Sequence, residues 1–280
     1  MKTQCALIQM GFTEDVSRNL ERGAELVRQA GRDGAKIISL PELATSIYFC
    51  YEIDRKYLEL AEPIPGPSTE LMGKAARDAD AYVVFPLYER GRDGQLYNAA
   101  TFIDRSGEVV GVYRKNIIPI MKFEGVEGLE KFYFRPADGS YPVFRTDLGI
   151  NVGITICYER HFPEGPRTLA LAGADVIFVP TATPAGRQIW DLELRAMAIA
   201  NLLWVGGVNR VGRDQGGSEM DFYGSSLFSA PNGEVVAQAG SEGDEILHAE
   251  IDTALSAQLR EEWGFFRDRR PELYGEIAAV

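Results

Sequence analysis

A cysteine at the end of a strand-like run is the first residue in this chain that could do chemistry. Cys157 closes the apolar run 150–157, and a charged stretch beginning Tyr158-Glu159 follows it at once. The carboxyl ends of strands are where α/β sheets bind their ligands, so the thiol is placed as a nucleophile would be. The alternative is a small core residue, because free cysteine is among the most buried residue types.

The histidine content restricts which group could activate that thiol. The sequence has only two histidines, His161 and His248. His248 lies in a run that predicts a late strand, and no residue near His161 is an evident orienting partner. A cysteine–histidine arrangement needs both a base and a group that orients it. If Cys157 is a nucleophile, we therefore expect its base to be a carboxylate or a lysine.

Carboxylate and lysine candidates also lie at or near strand ends. Glu42 follows the second strand-like run, and Lys115 closes the run 109–115. Glu130 lies in a glycine-flanked loop before an aromatic stretch. Each has an ordinary interpretation, since single charged residues at such positions are mostly caps or solvated side chains. A lysine near a carboxylate could stabilise a developing oxyanion, but spacing alone does not show that these side chains meet.

The elements that must position these residues alternate between strands and helices. Runs rich in Val, Ile, Phe and Tyr predict strands at 5–10, 36–40, 81–88, 96–104, 109–115, 150–157, 175–180, 202–208, 225–230, 235–239 and 246–251. Amphipathic stretches predict helices at 14–32, with Thr13 as its N-cap, and at 69–79, 162–171, 188–201 and 254–263. Strand–helix–strand units mixed with hairpins favour one large α/β domain with mixed sheets.

Composition excludes several classes of function. The chain has 280 residues, is 45% hydrophobic and carries a net charge of −12, which argues against nucleic-acid binding. No run reaches membrane-spanning length. The three cysteines form no CxxC pair, so we expect neither a disulfide framework nor a zinc site, and predict a reducing, cytoplasmic location. No phosphate-binding glycine motif occurs.

A set of short motifs in a fixed order resembles the nitrilase superfamily, the carbon–nitrogen hydrolases. The resemblance runs from Cys5 to about Tyr274. Its markers are Leu40-Pro41-Glu42, Tyr113-Arg114-Lys115, Ile156-Cys157-Tyr158-Glu159, Arg195-Ala196-Met197-Ala198-Ile199-Ala200-Asn201, Val208-Asn209-Arg210-Val211-Gly212 and Arg270-Pro271-Glu272-Leu273-Tyr274.

The resemblance implies a four-layer αββα sandwich of two mixed sheets, a single domain over residues 1–280. It implies a dimer or higher homo-oligomer, with residues from about 253 to 280 as a tail at the interface. Glu42 matches the general base, Lys115 the oxyanion-stabilising lysine and Cys157 the nucleophile. Glu130 fits a further family glutamate, with the neighbouring Glu124 and Glu127 as alternatives. Neither a metal nor an organic cofactor is implied.

The implied chemistry begins with attack of Cys157 on a carbonyl carbon while Glu42 takes the thiol proton. The oxyanion then lies between the Lys115 ammonium and a backbone N–H, which we expect to be that of Tyr158. Ammonia or an amine leaves, and water hydrolyses the resulting thioester.

Other positions are similar to the β-ureidopropionases and related N-carbamoyl amino acid amidohydrolases. They are Lys115-Asn116-x-Ile118-Pro119, Cys157-Tyr158-x-Arg160-His161-x-Pro163 and Asn209-Arg210-Val211-Gly212. The resemblance implies that Arg160 grips a substrate carboxylate. The alternative is a structural ion pair of Arg160 with Glu159 or Glu164.

The sequence therefore predicts hydrolysis of an N-carbamoyl amino acid to amino acid, carbon dioxide and ammonia. One alternative is an amidase for another small amide or for N-carbamoylputrescine, although a cationic substrate would favour an acidic residue where Arg160 stands. A more distant alternative is a catalytically silent binding protein on the same fold.

Overall fold

The computed structural model describes residues 1–215 and 220–278. Its strands are β1 (Lys2–Gln9), β2 (Ile37–Ser39), β3 (Tyr82–Arg90), β4 (Leu96–Ile103), β5 (Val109–Arg114), β6 (Met121–Phe123), β7 (Val126–Gly128), β8 (Phe144–Arg145), β9 (Asn151–Ile154), β10 (Val176–Pro180), β11 (Trp204–Val208), β12 (Val211–Arg213), β13 (Asp221–Tyr223), β14 (Leu227–Ser229), β15 (Val235–Gln238) and β16 (Glu245–Asp252). Its α-helices are α1 (Val16–Arg32), α2 (Pro67–Ala79), α3 (Glu130–Tyr133), α4 (Glu164–Leu171), α5 (Arg187–Asn201) and α6 (Thr253–Trp263). Short 3₁₀ helices span Arg55–Leu60, Cys157–His161, Pro271–Leu273 and Gly275–Ala278.

Two six-stranded sheets form the centre of the molecule, in the orders β16-β1-β2-β3-β4-β5 and β15-β14-β11-β10-β9-β8. In each sheet three neighbouring strands run parallel, and the strands on either side of them are antiparallel. Helices α1 and α2 connect the parallel strands of the first sheet, and α4 and α5 those of the second. The two halves of the chain therefore have the same arrangement of strands and connecting helices.

Alternation along β1 shows how the layers are built. Cys5 and Leu7 belong to a core between the two sheets, whereas Ala6 and Ile8 belong to a core beneath α1 and α2. Successive strand residues point to opposite faces, so a strand with both faces covered is apolar throughout. Complete burial of a side chain such as Leu7 contributes about 1.5–3 kcal/mol.

The second sheet is covered in the same way. Phe178 of β10 faces the first sheet, while its neighbour Ile177 packs with Trp190 and Leu194 of α5. At Gly207 of β11 a Cβ atom would lie 2.3 Å from the Leu194 side chain, so glycine lets α5 lie close to the sheet. The order helix, sheet, sheet, helix confirms the expected four-layer αββα sandwich and its single domain.

Most elements lie within a few residues of their expected positions, but three expectations were wrong. The strand expected at 150–157 ends as β9 at Ile154, and Cys157 begins a 3₁₀ helix instead. The N-cap of α1 is Asp15, whose carboxylate accepts a hydrogen bond from the Arg18 N–H, and not Thr13. Glu130 is not in a loop, since it begins α3.

Two short hairpins, β6–β7 and β12–β13, were not expected from the sequence. They are three-residue strands outside the main sheets, too short to show a hydrophobic alternation.

No helix in the described ranges is long and apolar enough to cross a membrane. Cys5, Cys50 and Cys157 are free thiols, and all three are buried. The cytoplasmic location stays a prediction.

Candidate active site

The strand directions explain why the candidate residues meet. Strands β2, β3 and β5 point the same way, because β4 runs antiparallel to both β3 and β5. Glu42 follows β2 and Lys115 follows β5, so both lie beyond the same edge of the first sheet. In the second sheet, β9 runs parallel to β10, and the chain continues from β9 to Cys157.

Lys115 lies at the centre of the cluster and is fully buried. Its Nζ atom donates to Glu42 Oε1 at 2.9 Å and to Glu130 Oε1 and Oε2 at 3.0 and 2.7 Å. Burial opposes the charged form, but the carboxylates of Glu130 and Glu42 outweigh it and raise the pKa of Lys115 well above its usual value. The ammonium is therefore charged at neutral pH.

Glu42 is held by both its side chain and its backbone. Its Oε1 atom accepts a hydrogen bond from Asn98 Nδ2 at 2.7 Å, and its carbonyl oxygen accepts one from Arg210 Nη2 at 2.9 Å. The next residue, Leu43, has a φ of 52°, a left-handed conformation that is unusual for a residue other than glycine. The carboxylate is thus fixed beside Lys115.

Glu130 is the second carboxylate beside Lys115. It is 1% exposed, and Tyr48 donates its hydroxyl proton to Glu130 Oε1 at 2.7 Å. Burial raises the pKa of Glu130 although the nearby Lys115 charge lowers it.

The other two glutamates considered from the sequence lie elsewhere. Glu124 lies at the β6–β7 turn, where it accepts hydrogen bonds from Gly186 N at 3.0 Å and Gln188 Nε2 at 2.8 Å. Glu127 is exposed. The geometry therefore favours Glu130 as the second acid of this site.

Cys157 lies at the base of the cleft with a φ of 51°. This strained conformation turns the chain sharply from β9 into the 3₁₀ helix and points to a functional constraint. Burial raises the pKa of Cys157 to about 12; the Glu42 charge adds to the increase, and Lys115 and Arg160 reduce it. The thiol is thus protonated at neutral pH and needs a base.

Glu159 is a buried residue whose place in the site the sequence did not reveal. Its carboxylate accepts hydrogen bonds from Ile156 N at 2.7 Å, Asn116 N at 2.9 Å and the Tyr113 hydroxyl at 2.7 Å. Glu159 therefore connects the segment that follows β5 and carries Lys115 to the turn that carries Cys157.

Arg160 forms an ion pair, but not with either of the expected partners. Its Nε atom donates to Glu193 Oε2 at 3.1 Å, and its Nη1 atom donates to the Cys157 carbonyl at 3.1 Å. Glu193 Oε1 also lies 2.5 Å from His161 Nδ1. The partner is thus Glu193 of α5 and neither Glu159 nor Glu164. No local pattern could reveal Glu193, because it is far from Arg160 in the sequence.

A cleft leads from these residues towards solvent. Its inner part is lined by Tyr48, Tyr51, Pro119, Met121, Gly128, Glu130, Cys157, Tyr158, Arg160, His161, Ala182, Thr183, Pro184 and Ala185. An outer chamber of about 230 Å³ shares Met121, Tyr158, Arg160 and His161 with it and adds Phe123 and Ile189. Tyr158, expected to bind substrate, therefore lines both parts.

Comparison with known proteins identifies similar chains of named activity. The carbon–nitrogen hydrolase family model matches residues 4–261. The chain is 35% identical to N-carbamoylputrescine amidase of Solanum lycopersicum, over 96% of this chain and 92% of the relative. It is 36% identical to citrullinase of Francisella tularensis subsp. tularensis, over 97% and 96%. It is 32% identical to beta-ureidopropionase of Arabidopsis thaliana, over 96% of this chain and 69% of the relative.

The fold also matches a solved structure closely. The crystal structure of a carbon–nitrogen hydrolase from Helicobacter pylori G27 superimposes with a TM-score of 0.90 at 28% sequence identity. The match covers 100% of this chain and 99% of the other.

Proposed function

Because the chain belongs to the carbon–nitrogen hydrolase family of the nitrilase superfamily, we propose that it removes the carbamoyl group from a small N-carbamoyl amino acid. The observation that carries this proposal is the buried Lys115–Glu42–Glu130 cluster beside Cys157, at the base of a cleft that Arg160 also lines. The names of three relatives support a carbamoyl or ureido substrate.

The reaction begins with proton transfer from the Cys157 thiol to the Glu42 carboxylate. The sulfur forms a bond to the carbonyl carbon, whose oxygen takes up negative charge. Ammonia or the amine leaves as its C–N bond breaks and takes the proton held by Glu42, while the oxyanion re-forms a carbonyl. Water then adds to the thioester carbon and the C–S bond breaks, and a proton from the water restores the thiol. The carbamic acid that is released loses carbon dioxide to give the remaining amine or ammonia. For a ureido substrate the sum is R–NH–CO–NH2 and water giving R–NH2, carbon dioxide and ammonia.

The roles follow from charge and burial. A thiol whose pKa is raised to about 12 by burial is not a thiolate at neutral pH, so attack requires a base in contact with it. The Lys115 ammonium is charged and fully buried, which strengthens its stabilisation of an oxyanion. Tyr158 is the second residue of its 3₁₀ helix, where an N–H has no partner within the helix, and we assign it the second oxyanion contact.

Arg160 is the group proposed to recognise the far end of the substrate. Its side chain is 4% exposed, with Nε held by Glu193 and Nη1 by the Cys157 carbonyl. In the described part of the chain no acceptor lies within hydrogen-bond distance of its Nη2 atom. A guanidinium nitrogen that lines the cleft in this way suits a carboxylate of the substrate.

A second candidate substrate class is an N-carbamoyl amine such as N-carbamoylputrescine. It is favoured by Glu193, whose carboxylate neutralises Arg160 and is 22% exposed, and by the name of one relative. An ammonium at the far end of such a substrate would be attracted to Glu193.

An ammonia-release screen tests both classes. The substrates are N-carbamoyl-β-alanine, N-carbamoyl-α-amino acids of both hands, citrulline, N-carbamoylputrescine and simple amides, compared by kcat/KM. We expect the highest value for an N-carbamoyl amino acid. A higher value for N-carbamoylputrescine would transfer the assignment to the second class.

Removal of the thiol is the control for that screen. Cys157→Ala should release no ammonia from any substrate and keep the thermal stability of the parent protein. Turnover retained by Cys157→Ala would refute the nucleophile, and no turnover by the parent protein would favour a silent binding protein.

A further inference from the structure

Arg210 is a fully buried arginine that does not line the substrate cleft. Its guanidinium carbon lies 4.1 Å from the centre of the Phe12 ring and 5.7 Å from that of Phe222. Burial of a charge in apolar surroundings is costly unless every donor is satisfied. The acceptors of Arg210 therefore indicate why a charge is kept at this position.

The acceptors lie at the two backbone positions that determine where Glu42 points. Arg210 Nε and Nη2 donate to the Glu42 carbonyl at 3.2 and 2.9 Å, and Nη2 also donates to the Leu43 carbonyl at 2.8 Å. The φ of 52° at Leu43 is a left-handed conformation, and such a conformation persists only when its surroundings enforce it. Arg210 supplies that constraint next to the proposed base.

The remaining guanidinium nitrogen, Nη1, is connected through Asp214 and Tyr48 to the second carboxylate, Glu130. Arg210 Nη1 donates to Asp214 Oδ2 at 3.0 Å, and the same oxygen accepts the Tyr48 N–H at 2.6 Å. The Tyr48 hydroxyl in turn donates to Glu130 at 2.7 Å. One ion pair thus holds Glu42 through its carbonyl and Glu130 through Tyr48.

We propose that Arg210, paired with Asp214, is a positioning residue that fixes the two carboxylates around Lys115. Among the described residues it neither lines the cleft nor hydrogen-bonds to Cys157, so it acts through the backbone. A guanidinium suits this task because its donors form a planar fork of fixed geometry. The proposal goes beyond the choice of substrate, and any linear amide that the enzyme turns over can test it.

The test is Arg210→Lys, which keeps the charge but replaces the fork by a single ammonium. A displacement of the base by about 1 Å can cost on the order of 100-fold in rate. We expect kcat to fall about 10- to 100-fold, with KM changed less than about threefold, because the cleft lining is intact. We also expect the acid limb of kcat/KM to move to higher pH, because a loosened Glu130 loses the hydrogen bonds from Lys115 and Tyr48 that favour its charged form.

Arg260→Lys is the matched control, since Arg260 donates to the Ala174 carbonyl at 3.3 Å, away from the cleft. It should leave kcat and the acid limb unchanged. If Arg210→Lys does not fold, Asp214→Asn tests the same link, because it removes the negative charge that pairs with Arg210 while an amide oxygen can still accept the Tyr48 N–H. The same loss of kcat and the same movement of the acid limb are expected.

A lower melting temperature with kcat and the acid limb unchanged would overturn the proposal and leave Arg210 a purely structural residue. An equal loss in Arg260→Lys would also overturn it. A variant that melts normally but fails on every substrate, like Cys157→Ala, would support the positioning role and leave the substrate proposal untouched.

Discussion

Burial of charge is the property that distinguishes the individual residues of this site. Lys115, Glu42 and Glu130 are at most 1% exposed, and both carboxylates accept hydrogen bonds from Lys115. Removal of Lys115 would leave two buried carboxylates without a cation, whereas removal of either glutamate would leave one ion pair. Loss of the partner of a buried charge costs about 3–5 kcal/mol, so both carboxylates depend on Lys115.

The protonation state of Cys157 gives a prediction at this scale. Burial raises its pKa to about 12, whereas a free thiol has a pKa of about 8.5. A raised pKa keeps the thiol protonated to higher pH, so the rate of alkylation by iodoacetamide should still be increasing at about pH 10. Mass spectrometry of the labelled peptide measures this rate, with glutathione as the exposed reference. A plateau near pH 9 would contradict the buried, protonated thiol.

Glu193 gives a second prediction, which rests on the proposed function. Glu193→Gln keeps one oxygen that can accept from Arg160 and places its amide NH2 towards His161, but removes the negative charge. The preference for an N-carbamoyl amino acid over N-carbamoylputrescine, as a ratio of kcat/KM, should rise about 10-fold, as expected for loss of one charge near the substrate.

Glu164→Gln is the matched control for Glu193→Gln, since Glu164 is an exposed residue outside the inner cleft. It should leave the substrate preference unchanged. An unaltered ratio in Glu193→Gln would mean that Glu193 does not influence which substrate is chosen.

At the scale of elements, the β6–β7 hairpin closes one side of the cleft. It carries Met121 into the cleft lining, and Glu124 at its turn bonds to Gly186 N and Gln188 at the start of α5. These hydrogen bonds lower the pKa of Glu124, so the contact is charged at neutral pH. A carboxylate is favourable near a helix N-terminus, and this one holds the hairpin against α5.

Removal of that contact should loosen the hairpin without unfolding the protein. Glu124→Ala should raise KM about three- to tenfold and change kcat less, because the lost hydrogen bonds loosen one wall of the cleft and leave the groups around Cys157 in place. The neighbouring exposed Glu127→Ala is the control and should match the parent protein. If steady-state kinetics show an unchanged KM in Glu124→Ala, the hairpin is held by other contacts.

The long elements could be predicted from the sequence because their own residues specify them. Helix α1 has apolar residues at helical spacing, and β1 is apolar on both faces. The sequence extends the strand past Ile154 to Cys157, because Thr155 and Ile156 are β-branched residues typical of strands and only the backbone turn at Cys157 ends the extended run. Short elements such as α3 and β6 have too few residues for any periodicity to show.

At the scale of the whole molecule, the C-terminal tail exposes apolar side chains. Trp263, Leu273 and Ile277 are 53%, 65% and 63% exposed, and apolar groups clustered on a surface mark interaction sites. The expected role of the tail at an interface between copies of this chain stays a proposal. Residues 279 and 280 of that tail lie outside the described part.

A charge-introducing variant tests that role. Leu273→Glu combined with Ile277→Glu should convert a dimer or larger assembly into a smaller species, because burial of two carboxylates in an apolar interface is costly. Light scattering after size-exclusion chromatography measures the mass. Val110→Glu, a substitution at a 53% exposed residue of β5, is the control. If the parent protein, the double variant and Val110→Glu have equal masses, any interface between copies of this chain lies elsewhere.

The sequence by itself determined the alternation of elements, the family motifs and the candidates Glu42, Lys115 and Cys157, because these depend on neighbouring residues. Only the tertiary structure decided that Glu130 and not Glu124 lies at Lys115, that Arg160 pairs with Glu193, and that Arg210 holds Glu42. Arg160 and Glu193 are 33 residues apart, and Arg210 and Glu42 are 168 apart. Side chains so distant meet only because strands of one sheet end at a common edge and the second sheet packs on the first, and no local pattern records that geometry.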